Sequence, residues 1–142
     1  MNTPPVVVIG VIGNDIHVVA NRMLQICLEA HGYRTVNIGT NAMPSDFVEM
    51  ALEVDADAIL IGSLNGEAPH WCANIRQSLA AVGLGHLLVY LGGNLVTGEM
   101  PAAEVERLFR SRGVDRVYYG TTDFDVMIAD LKKDLARGRA AA

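Results

Sequence analysis

Val6-Val7-Val8-Ile9-Gly10-Val11-Ile12 runs straight into Gly13-Asn14-Asp15-Ile16-His17 near the start of the chain. A continuous run of apolar and glycyl residues, rich in β-branched side chains, predicts a strand covered on both faces, not the alternating pattern of a half-exposed one. Such strands belong to parallel sheets sandwiched between helices. The residues after the run are of a different kind: a glycine, an amide, a carboxylate and an imidazole in quick succession. Open α/β sheets bind ligands at strand exits of this sort, along the carboxyl edge.

Further β-rich runs follow at residues 35–38, 58–62, 87–91 and 116–118, separated by segments of helical character. Val19, Met23, Ile26 and Ala30 keep the spacing of one helix face, as do Cys72, Ile75, Leu79 and Val82, and then Phe124, Ile128, Leu131 and Leu135. These stripes are expected to face the sheet. Gly32, Gly83 and Gly113 stand where helices should stop, Pro44 and Pro101 suit first turns, and Thr122 with Asp125 resembles a capping box. The alternation predicts an α/β fold: a single flavodoxin-like (Rossmann-like) domain with a five-stranded parallel sheet and helices on both faces. Right-handed crossovers make 2-1-3-4-5 the expected strand order. Residues 1–137 are expected to form the domain and 138–142 a fraying tail.

A net charge of −5 argues against a nucleic-acid partner, and the one basic cluster, around Arg137 and Arg139, falls at the end of the chain. No apolar run approaches the roughly 18 residues of a membrane span, and the first lacks a basic leader, so a cytoplasmic location without a membrane partner is expected. Cys27 and Cys72 make neither a metal-type pair nor a disulfide framework, and both are expected in the core. His70 and Cys72 are separated by one residue with no second pair, which leaves zinc unsupported.

With the expected topology, segments 13–17, 63–66 and 92–94 share one edge of the sheet. The first has neither the spaced glycines of a dinucleotide fingerprint nor the Lys-Ser/Thr ending of a P-loop. A phosphoacceptor receiver would want a carboxylate after the third strand and a lysine after the fifth; Ser63 and Tyr119-Gly120-Thr121 stand there instead. Ser63 also lacks the glycine pattern of a nucleophile elbow, so hydrolysis is not expected. Asp15-x-His17 remains. A metal-bound imidazole commonly gives its second N–H to a carboxylate, and Asp15 is placed to be that partner. The triplet alone is common by chance. Ser63 could equally end a strand by bonding its own backbone, Gly92-Gly93 could mark an ordinary turn, and Trp71 could be a core anchor or part of a partner surface.

The run Gly10-Val11-Ile12-Gly13-Asn14-Asp15-Ile16-His17, followed by Ser63-Leu64 and by Gly92-Gly93-Asn94, resembles the D-x-H-x-x-G, S-x-L and GG motifs of cobalamin-binding domains. The likeness is greatest to the small subunits of glutamate (methylaspartate) mutases. It extends through Val36-Asn37-Ile38-Gly39, Ala56-Asp57-Ala58-Ile59-Leu60, Asp115-Arg116-Val117-Tyr118 and Ile128-Ala129-Asp130-Leu131. The resemblance implies adenosylcobalamin as cofactor, with His17 as the lower ligand to cobalt. It implies that Asn14, Asp15, Ile16 and Val18 surround that ligand and that Asp15 holds its ring. By the same likeness Gly62, Ser63 and Leu64 meet the buried benzimidazole, and Gly92 and Gly93 keep the slot wall bare. Asn94, Leu95, Val96, Thr97 and Gly98 would line its far part.

What the resemblance implies about activity is interconversion of L-glutamate and 3-methylaspartate by radical rearrangement. No catalytic residue is expected on this chain, and a larger catalytic subunit is expected to complete the enzyme. Two alternatives belong to other classes: a corrinoid methyl carrier, which usually brings a helical cap for which residues before Val6 leave no room, and a binding or regulatory module without cofactor. Two positions depart from the family pattern. Ala20 replaces the glycine three residues after the histidine, and Gly62 stands where serine is common. An added methyl in a tight wall is expected to weaken cofactor affinity.

Overall fold

A computed structural model describes residues 3–15, 17–120 and 123–141, with side chains as far as residue 138. Its strands are β1 (Val6–Val11), β2 (Arg34–Asn37), β3 (Ala58–Ser63), β4 (Leu88–Gly93) and β5 (Arg116–Tyr119). All pair in parallel, in the order β2-β1-β3-β4-β5. The helices are α1 (Val19–Ala30), α2 (Pro44–Val54), α3 (Ala68–Trp71), α4 (Ile75–Ala81), α5 (Ala102–Ser111) and α6 (Phe124–Ala141). Fold class and strand order are those expected from the sequence.

Strand periodicity divides the apolar residues between two cores. Val8, Ile59, Ile61, Val89 and Leu91 point to one face, where Phe47 of α2, Leu79 of α4 and Phe109 of α5 cover them. Val7, Ile9, Ala58, Leu60 and Tyr90 point to the other, against Leu24 and Leu28 of α1 and Met127, Ile128 and Leu131 of α6. The second layer is also pinned by charge. The Arg116 guanidinium grips Asp134 of α6 at 2.7 and 3.0 Å, the Tyr90 hydroxyl donates to the same carboxylate, and the Tyr118 hydroxyl donates to Asp130 at 2.7 Å.

Several local expectations need correction. Val19, Met23 and Ile26 do not face the sheet; they are 69%, 52% and 55% exposed, and the buried face of α1 is Asn21, Leu24 and Leu28. The buried face is polar at one point because the Asn21 amide donates to the Asn37 side chain of β2 at 2.7 Å, a pairing that an apolar stripe cannot reveal. The helix expected through Cys72 and Val82 is two helices, broken after Trp71, with Cys72 buried between them and Val82 exposed at the end of α4. Cys27 is only half-buried. Pro44 opens α2, whereas Pro101 caps α5 from just outside. Thr122 lies outside the described residues, and α6 continues past Gly138 into the stretch expected to fray.

Candidate cofactor and metal site

β1 delivers its exit loop between two neighbours. The Gly13 N–H donates to the Ala42 carbonyl at 2.7 Å, and the Asn41 N–H donates to the Asp15 carbonyl at 3.0 Å. Asp15, 1% exposed, uses both carboxylate oxygens. One accepts the Leu64 N–H at 2.7 Å, tying the β1 exit to the β3 exit. The other accepts the His17 backbone N–H at 3.0 Å and faces the ring nitrogen Nδ1 at 2.5 Å. Burial opposes the charge of Asp15, but the Leu64 N–H, the His17 ring and the His17 N–H together hold its carboxyl below the ordinary value. An ionised carboxylate accepts only, so Nδ1 carries a proton toward Asp15, and the tautomer this selects is the one that leaves the lone pair on Nε2. The His17 side chain is 58% exposed, which leaves that nitrogen reachable.

Beside this loop, between α1 and α6, lies a cavity of about 330 Å³. Its walls include Val11, Leu24, Leu60, Tyr90, Phe124 and Met127, and Gly62, Leu64, Gly92 and Gly93 border it from the sheet. At Gly93 the backbone admits only glycine. With φ at 123°, a Cβ there would stand 2.2 Å from the Ser63 carbonyl oxygen. Gly62 differs, because a Cβ would meet nothing nearer than the Gly10 carbonyl oxygen at 3.6 Å, an ordinary contact.

The structure therefore gathers only part of the expected set. Asp15, His17, Gly62, Leu64, Gly92 and Gly93 converge on the loop and the cavity. Ser63 does not border the cavity: it alternates with Gly62 onto the opposite sheet face, where it is fully buried and its hydroxyl has no partner among the described residues. Nor does Ser63 bond its own backbone, the plainer alternative. Asn14 and Val18 are exposed, and Ile16 lies outside the described residues. None of Asn94, Leu95, Val96, Thr97 or Gly98 borders the cavity. Leu95 and Val96 are buried, and Val96 bridges Glu67 while the Gly66 N–H donates to the Asn94 carbonyl at 3.0 Å, so this segment braces the β3 exit.

Residues missed by sequence reasoning include Asn21, Leu24, Tyr90, Phe124 and Met127, which form part of the cavity wall. Only the spacing of Phe124 hinted at a role, and it pointed to the core. Ala20 also borders the cavity. No group of three His, Cys, Asp or Glu side chains that could hold a metal occurs among the described residues. No helix among the described residues is long and apolar enough to cross a membrane.

Residues 5–128, which contain this sheet, match the family model for the B12 binding domain. The chain belongs to that family. Within it, the chain stands with the glutamate mutase sigma subunits, being 44% identical to that of Clostridium tetani over 91% of this chain and 94% of the relative. Among solved structures, a cobalamin-binding protein from Desulfitobacterium hafniense superposes with a TM-score of 0.75 at 18% identity, covering 92% of this chain and 59% of that one. The chain thus spans less than two thirds of that protein. The receiver domain of the response regulator NarL from Mycobacterium tuberculosis superposes with a TM-score of 0.66 at 13% identity over 95% of this chain and 98% of that one, a likeness of fold alone.

Proposed function

We propose that this chain carries adenosylcobalamin for a mutase of the glutamate mutase type, with Nε2 of His17 bound to cobalt and the cofactor's nucleotide tail in the cavity between α1 and α6. The observation that carries the reading is the Asp15–His17 pair. A buried carboxylate holds a ring proton on Nδ1 and turns the other nitrogen outward beside a cavity of about 330 Å³. The donor fits the group, because imidazole suits a borderline transition metal and a hydrogen-bonded carboxylate raises its basicity. The cavity fits too, since its walls are mostly apolar.

When bound, the cofactor supplies a cobalt–carbon bond whose homolysis starts the radical interconversion of L-glutamate and 3-methylaspartate. The work of this chain is to orient. Asp15 fixes the ring, Leu64 locks Asp15, and α1 and α6 exclude water from the slot. Segments 13–18, 64–67 and 92–98 contain no Arg or Lys, so the substrate's two carboxylates find no counter-charge there. That recognition, and closure over the reactive upper face, belong to a larger catalytic subunit.

The test is an isomerisation assay. The purified chain with adenosylcobalamin forms no 3-methylaspartate from glutamate, and activity appears on adding a large catalytic subunit and saturates with its concentration. Product from the chain and cofactor alone would overturn the subunit reading, and methyl transfer to a thiol instead would make the chain a methyl carrier.

A further inference from the structure

Trp71 has no part in the binding scheme above, yet it is built into the loop that carries His17. It is the last residue of α3, half-buried against the core formed with α2, α4 and α5. Its indole N–H is buried without a hydrogen-bond partner among the described residues. A residue serving only as apolar filling would avoid that unmet donor, so the shape of the whole indole has to matter at this point. The surface it meets is Gly13. That glycine has φ at 79°, and a Cβ on it would stand 2.2 Å from Nε1 and 2.5 Å from Cδ1 of Trp71.

Gly13 comes two residues before Asp15, and its N–H is held by the Ala42 carbonyl at 2.7 Å. The exit of β1 is thus confined between a backbone acceptor and an indole edge. Its direction decides whether Asp15 reaches the Leu64 N–H and where His17 presents Nε2. α3 is itself held in place, because Arg112 at the end of α5 donates to the Pro69 carbonyl and the Trp71 N–H donates to the Glu67 carbonyl at 3.2 Å. We propose that Trp71 is a positioning residue for the cobalt ligand: it aims the His17 loop from beneath without touching the cofactor. This rests on the reading of His17 as that ligand.

Spectrophotometric titration of the purified chain with adenosylcobalamin, run as a double-mutant cycle over Trp71→Phe and His17→Ala, tests it. Phenylalanine keeps an aromatic ring in the core and removes the pyrrole edge that meets Gly13. With His17 present, W71F raises Kd about tenfold, the lower end of what loss of a partner orienting a metal ligand costs. With His17→Ala it raises Kd no further, since a residue acting through the ligand has nothing left to aim. An equal loss in both backgrounds, or no loss in either, would overturn the proposal and leave Trp71 a core anchor. Should W71F fail to fold, Trp71→Tyr, which also keeps a ring in the core and removes the pyrrole edge, is carried through the same cycle with the same two overturning results. A His17→Ala chain that binds as tightly as the parent refutes the ligand assignment itself, an outcome distinct from any produced by Trp71.

Discussion

Asp15 is saturated: each carboxylate oxygen has its own donors, and the two sets lie on different loops. Asparagine has the same shape but one acceptor oxygen, so it must turn its NH2 toward either the Leu64 N–H or the His17 ring. Asp15→Asn should therefore raise Kd for adenosylcobalamin by about 10- to 100-fold in a chain that still folds, read by titration with circular dichroism as control. The thiols give a second expectation. Burial pushes the Cys72 thiol up to about 12, only partly offset by the Arg112 charge, and its side chain is fully buried. At about pH 8 a thiol reagent should modify Cys27 alone in the native chain and Cys72 only after denaturation. At this scale Asp15 and His17 were legible only through the family resemblance, because the triplet alone is common by chance. The serine was not. Neighbouring strand residues face opposite ways, and Ser63 turns away from the cavity that Gly62 borders, which a motif alone does not show.

α1 and α6 make the cavity, and each was read differently from its sequence. In α1 the apolar stripe is the exposed one, and the buried face contains Asn21, which pairs with Asn37. Leu28→Ala should cost about 2–5 kcal/mol in urea unfolding, as a fully buried leucine does, whereas Ile26→Gln should cost less than about 0.5 kcal/mol. The opposite ranking would mean that the stripe faces the sheet. In α6 the stripe was read correctly, but its attachment by Asp134 and Asp130 was invisible, because Tyr90, Arg116 and Tyr118 come from other elements. The Arg116 guanidinium, helped by the Tyr90 hydroxyl and opposed by burial, holds the Asp134 carboxyl below the ordinary range. A depressed folded value makes this stabilisation complete above the unfolded pKa of about 3.9 and lost as pH falls through the folded value. The melting temperature of the parent should thus fall more steeply than that of Asp134→Asn between about pH 4 and pH 2. Equal slopes would remove Asp134 as the acid-sensitive tie.

Over the whole molecule, strand order could be read in advance because five apolar runs with short crossovers admit few arrangements. The cavity could not. Val11, Leu24, Leu60, Tyr90 and Met127 come from five separate elements and meet only once the sheet is wound. The same winding serves the NarL receiver domain, so fold alone does not decide function here; the residues at the edge do. Ala20 and Gly62 both border the one cavity, and Gly62 has space for a side chain that it lacks. The central claim is that His17 replaces the cofactor's own base on cobalt. It is tested most directly by the electron paramagnetic resonance spectrum of cob(II)alamin bound to the purified chain labelled with 15N-histidine. The account predicts that the axial nitrogen splitting changes from triplets to doublets on labelling and is lost in His17→Ala. Triplets that persist in the labelled chain would show that the cofactor's benzimidazole still holds the metal, and would contradict it.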